Sequence, residues 1–131
     1  KITTTVVKDD ELGFTKCTSQ ELLFYKVKNR TTGLEEKVSF DNYIRKHIYN
    51  KFRYPEFAMD HELQGRVIVH FFIDKEGNPQ INDAIGPING LILEEEAIRI
   101  IKSLPTAIPA NCDGKPINIM FAIPILFQMQ E

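Results

Sequence analysis

Tryptophan is absent and cysteine nearly so: the 131 residues carry two, Cys17 and Cys112. Neither belongs to a C-x-x-C pair or has a histidine at ligand spacing, so no zinc site is expected. Two separate small apolar side chains are the simpler expectation. A single disulfide joining the two halves of the chain would instead fit an oxidising compartment. Histidine is also scarce. His47, His61 and His70 share no i, i+3 or i, i+4 spacing that would pair them on a helix, and no metal or cofactor is expected. Basic excess is missing: 16 Lys plus Arg stand against 18 Asp plus Glu, a net charge of −2, which argues against nucleic acid as a partner. No apolar run approaches the ~18–20 residues of a membrane span. The Gly-rich phosphate loop, G-x-S-x-G and H-E-x-x-H are all lacking, and nothing pairs a nucleophile with a base. No enzyme is expected. The chain begins with Lys1 rather than Met, as a processed protein or a piece of a longer one would.

What is present reads as one domain of ordinary size, 43% hydrophobic and 26% charged, a balance that excludes a disordered tail. Residues 1–37 form a β-prone extension. Thr3 to Val7 and Leu22 to Lys28 are rich in β-branched, aromatic and apolar residues, and Asn29 to Gly33 is a turn cluster. From residue 38 to 131 the pattern changes. Ser39 can cap a helix in which Phe40, Tyr43, Ile44, His47 and Ile48 make one apolar stripe. Pro55 pushes Tyr54 toward extended backbone and can open a short helix to Glu62, with Phe57, Ala58 and Met59 as its inward candidates.

Arg66 to Asp74 alternates, with Val67, Val69, Phe71 and Ile73 on one face. Asp74-Lys75-Glu76-Gly77-Asn78 is a hairpin loop, and Pro79 to Ile85 is the returning strand. Glu94-Glu95-Glu96 reads as the solvated, dipole-matched first turn of a helix whose stripe is Ile92, Ala97, Ile98, Ile101 and Leu104. Ile117 to Phe127 is a long alternating strand. Pro124 has no N–H to give a ladder, which places this strand at a sheet edge, at least locally. The fold class is therefore α+β: two main helices packed on a small three-stranded antiparallel sheet, preceded by the β-prone extension.

The ordered set Tyr54-Pro55, Gln64-Gly65-Arg66-Val67, Asp74-Lys75-Glu76-Gly77-Asn78, Glu96-Ala97 with Arg99, Lys102-Ser103-Leu104-Pro105 and Asp113-Gly114-Lys115-Pro116-Ile117 resembles the C-terminal domain of TonB. Its flavour is that of TonB-like energy transducers of Bacteroides-type bacteria, and the resemblance covers about Phe40 to Phe127. It implies a periplasmic domain that binds the TonB-box peptide of an outer-membrane TonB-dependent transporter by strand addition. Main-chain hydrogen bonds supply affinity in that mode, so no catalytic constellation is needed.

Carried onto this sequence, the peptide-binding residues are Tyr54 and Pro55, and in the accepting strand Ile117, Asn118, Ile119, Met120, Phe121, Ala122 and Ile123. The bland alternative for Tyr54-Pro55 is a corner between helices with a packed aromatic. The resemblance also implies coupling to the proton-motive ExbB–ExbD motor, if a membrane helix lies upstream of Lys1 and anchors the domain to the inner membrane. Two positions depart from the family pattern: Arg53 stands where Gln precedes Tyr-Pro, and Ile108 where many members carry Trp. The alternative function is an exported, non-transducing interaction or structural module in which residues 1–37 modify or cover the edge. A homodimer through that edge is a further expectation.

Overall fold

The computed structural model describes residues 5–8 and 20–129. The element order is β1 (Thr5–Lys8), β2 (Gln20–Glu21), β3 (Phe24–Lys28), β4 (Glu35–Ser39), α1 (Phe40–Lys51), α2 (Glu56–Asp60), β5 (Gly65–Ile73), β6 (Pro79–Ile85), α3 (Leu91–Lys102), β7 (Asn111–Cys112), β8 (Lys115–Pro116) and β9 (Ile119–Phe127). The fold is α+β. The expected three-stranded antiparallel sheet is β9, β5 and β6, with β5 in the middle, and β1 adds a fourth strand on the outer side of β9. Two small antiparallel pieces accompany it, β2-β7-β8 and the hairpin β3–β4.

The period-two pattern sets the main sheet. Along β5, Val67, Val69, Phe71 and Ile73 are fully buried, and along β9 the alternate residues Ile119, Phe121, Ile123, Ile125 and Phe127 are buried. These two rows lie side by side, because the register pairs Gly65 with Phe127 and Ile73 with Ile119. Helices close the apolar face. Helix α1 starts where Ser39 Oγ accepts the Asn42 N–H at 3.3 Å, with Asp41 in its first turn, both favourable at a helix N-terminus. It buries Phe40, Ile44, His47 and Ile48. Stacked rings join the N-terminal hairpin to the sheet: Tyr25 on Tyr43 at 3.9 Å, Phe40 on Phe121 at 4.5 Å and Phe121 on Phe71 at 5.3 Å. Leu23 and Tyr25 thus belong to the same core as β5 and β9.

Five expectations change. Helix α3 starts at Leu91, before the glutamate run, and buries Leu93, Glu96, Ala97, Ile100 and Ile101, so its inward face is rotated from the expected stripe. In α2 only Ala58 is buried, while Phe57 and Met59 are exposed. Glu35–Ser39, unmarked by the sequence pattern, is a strand paired along its length with β3. Cys112 is disulfide-bonded rather than a separate thiol. The chain's other cysteine, Cys17, lies outside the described residues. Finally, the last strand is not an edge throughout. From Ile119 to Ala122 it runs between β5 and β1.

Candidate peptide-binding edge

The outer edge of β9 has two parts. Ile119, Met120, Phe121 and Ala122 pair with Lys8, Val7, Val6 and Thr5. The pairing stops two residues before Pro124, and among the described residues no strand pairs with Ile123 to Phe127 on that side. A residue without an N–H is at home where one side of the ladder ends.

The unpaired part ends at an aromatic corner. Phe52 and Pro55 take extended backbone, with ψ of 130° and 134°. The Phe127 ring, fully buried, meets Phe52 at 5.2 Å and Tyr54 edge-on at 5.8 Å. Such tilted and edge-on contacts suit the ring quadrupoles. The Tyr54 hydroxyl donates to the Leu63 carbonyl, and burial pushes its pKa up. Pro55 precedes α2, and its carbonyl accepts the Met59 N–H at 3.0 Å. Tyr54-Pro55 thus forms a packed corner ahead of α2. Its neighbour Phe52 keeps about a third of its surface open, at 36%.

Buried electrostatics fix this corner. Glu96 is 8% exposed, so the solvated first turn expected of the glutamate run does not include it. Its Oε2 accepts the Arg53 N–H at 3.0 Å, and Arg99 donates to both its oxygens at 2.7 Å. Arg99 also donates to the Lys51 carbonyl at 2.7 Å, satisfying an orphan acceptor in the last turn of α1. The hydrogen bonds to Glu96 hold the Arg99 guanidinium more firmly protonated than usual. Glu94, two residues before Glu96, accepts the Gly86 N–H at 2.8 Å. Beyond β9, Gln64 Oε1 accepts the Met129 N–H at 2.9 Å. A cleft of about 580 Å³ opens there, lined by Tyr54, Met59, Asp60, His61, Glu62, Gln128 and Met129.

The residues named from the sequence do not converge on one place. Tyr54 and Pro55 stand at the Phe127 end of β9, whereas Ile117 to Ala122 stand at the other. Eight residue steps along the strand separate Ile119 from Phe127, roughly 27 Å at the usual rise. Ile117 lies outside β9: it is buried, and its N–H donates to the Ala110 carbonyl at 2.9 Å. Asn118 lies between β8 and β9. Of the named strand residues, Ile123 alone belongs to the unpaired stretch. The sequence reading does not name Phe52 or the run Pro124 to Phe127, which lie at the part of the β9 edge without a described partner. A signal for Phe52 was available, since alternate residues of an extended Phe52-Arg53-Tyr54 project to one side.

Among the described residues no group of side chains could hold a metal ion, and no helix is long and apolar enough to cross a membrane. No curated protein and no solved structure matches the chain. The model of the Gram-negative bacterial TonB protein C-terminal family matches residues 50–129, the stretch that holds the Tyr54 corner, β5, β6, α3 and β9. The chain therefore belongs to the TonB C-terminal family, a family of non-enzymatic interaction domains of the Gram-negative periplasm.

Proposed function

We propose that this domain grips short peptide segments of outer-membrane transporters by adding them as a strand to β9. In the transducing reading it passes on inner-membrane proton-motive energy through ExbB–ExbD and a membrane anchor. The observation that carries the strand-addition reading is the unpaired outer side of Ile123 to Phe127, which ends against Phe52 and Tyr54. An extended peptide there gains main-chain hydrogen bonds on a strand already fixed by β5, so little ordering cost falls on the protein. Pro124 interrupts the donors, and Leu126, 40% exposed, offers an apolar contact. Of the strand residues expected from the sequence, Ile117 to Ile123, the four from Ile119 to Ala122 enter this reading only where β1 gives way.

A second reading is favoured by β1 itself. A chain that covers part of its own edge suits a non-transducing interaction module. Calorimetric titration with peptides from the N-terminal segments of transporters tests the first reading. It predicts saturable binding, weakened severalfold or more by Phe52→Ala. No heat at millimolar peptide would contradict it.

A further inference from the structure

The sole strand that pairs with the outer edge of β9 among the described residues comes from the chain itself. β1 is four residues long, antiparallel, and in register from Thr5 opposite Ala122 to Lys8 opposite Ile119. Among the described residues it is the terminal strand of its sheet and hydrogen-bonds to no strand but β9. β5, by contrast, holds β9 over nine residue pairs, so the core face of the sheet does not depend on β1. Residues 9–19 link β1 to β2, which pairs with β7 at the rim of the domain. Among the described residues β1 is thus a short strand with one neighbour, in the same chain as the edge it covers.

We propose that β1 is a resident, displaceable occupant of the accepting edge. It holds Ile119 to Ala122 in cis, leaves Ile123 to Phe127 open, and yields when a stronger strand arrives. This rests on the reading of β9 as a peptide-accepting edge and adds its regulation. The physics is that of an intramolecular competitor. Because β1 belongs to the same chain, an incoming strand has to outcompete an intramolecular partner, so a weak one reaches only the open five residues. A strong one takes all nine. Terminal strands with few neighbours lie at the low-stability end of a fold, which makes displacement accessible without unfolding the core.

The composition of β1, Thr-Val-Val-Lys, defines the chemistry of a successful rival: a short extended segment of β-branched residues with strand propensity at least as high. While no rival is present, β1 also denies those four residues to another copy of the chain, as exposed edges require.

The test uses the chain's own segment as probe. A fluorescent peptide of the sequence of residues 1–10 is titrated into the full chain and into the full-length double variant Val6→Pro, Val7→Pro, in which β1 has lost two N–H groups and its strand geometry. The proposal predicts at least tenfold tighter binding to the variant. Equal affinities, or no binding to a folded variant, would overturn it.

Hydrogen exchange on the unmodified chain decides the matter if the variant does not fold. The amides of Thr5 to Lys8 are expected to exchange at least a hundredfold faster than those of Val67 to Phe71. Matching protection would show a strand that opens only with the whole fold, and the proposal would fail. Because the probe is this chain's own strand, its result does not depend on transporter peptides. If the probe shows the gap while transporter peptides bind neither protein, the transporter reading fails and the cis occupancy stands.

Discussion

The hairpins β5–β6 and β3–β4 each turn on a glycine of positive φ, and they are held in very different ways. In β5–β6, Gly77 has φ of 90°, and its carbonyl accepts the Ala107 N–H at 2.8 Å. Asp74 Oδ1 accepts the N–H groups of Glu76 and Asn78, each at 2.9 Å, Gln80 donates to its Oδ2 at 3.0 Å, and Thr106 donates to the Asn78 side chain at 2.7 Å. In β3–β4, Gly33 has φ of 73°, and the loop is tied chiefly to itself. Asn29 Oδ1 accepts the N–H groups of Thr31 and Thr32 at 2.8 and 3.1 Å, and its amide reaches Glu36 at 2.7 Å, all exposed. The first hairpin is docked into the family-matched region. The second stands on the surface and touches the core mainly through Tyr25. What the family-matched stretch preserves is a frame that positions β9. The N-terminal elements are added to that frame, and one of them reaches across to its edge.

The sharpest way to break this comparison is to add one methyl group to each loop. A Cβ at residue 77 would lie 1.9 Å from the Ala107 carbonyl oxygen, and backbone cannot step aside as a flexible side chain can. Gly77→Ala is expected to cost about 3 kcal/mol or more, from the clash together with the positive φ, read as a large loss of Tm or a failure to fold. The same change at residue 33, where nothing lies within 4 Å, is expected to cost ~1 kcal/mol, the φ penalty alone. Equal losses at the two sites would refute the distinction.

Between these extremes stands Glu96. Glu96→Ala removes the partner of Arg99 and the acceptor of the Arg53 N–H, both beside the Tyr54 corner. About 2 kcal/mol is expected from charge-assisted hydrogen bonds lost at a largely buried site, together with altered amide shifts from Phe52 to Tyr54. A neutral result in denaturant unfolding would show that this cluster does not fix the corner.

The smallest effect is one of pH. His47 Nε2 lies 2.9 Å from both the Ile100 carbonyl oxygen and Ser103 Oγ. Burial pushes its pKa below the usual 6.5, with the Ile100 carbonyl opposing and the charges of Lys51 and Arg99 adding. A depressed histidine contributes stability that is present above the unfolded value. That stability is lost as pH falls through it, because the unfolded chain then binds a proton that the folded chain resists. Tm is therefore expected to fall modestly from pH 7 to pH 5, and to fall less in His47→Leu. Asp74 acts lower. Burial works against its charge, but the N–H groups of Asn78, Glu76 and Gly77 and the Gln80 side chain outweigh this and hold its pKa below the usual range.

Much of the frame was legible because its signals are local. Ser39 and the Phe40 stripe gave α1, the alternation from Val67 to Ile73 gave β5, and Asp74 to Asn78 gave the hairpin. The features that were not legible depend on residues far apart in sequence. β1 and β9 meet across more than a hundred residues, and nothing in Thr3 to Val7 names its partner. Glu96 reads as one of three solvated acids until Arg99 and the Arg53 backbone are seen to enclose it. The inward face of α3 is set by the β5, β6 and α1 surfaces it packs against, which its own sequence does not name. The Tyr54-Pro55 pair was legible as a corner. Its neighbour Phe52, with Phe127 at the far end of β9, shows which part of the last strand lies beside it.

The account turns on which stretch of β9 accepts a strand. Residue-resolved NMR of the full chain, titrated with a transporter N-terminal peptide, measures this directly. The amides of Ile123, Ile125 to Phe127 and Phe52 to Tyr54 are predicted to shift first, with those of Ile119 to Ala122 following at higher peptide as β1 is displaced. Shifts confined to β6 or the β3–β4 hairpin, with β9 unmoved, would contradict it.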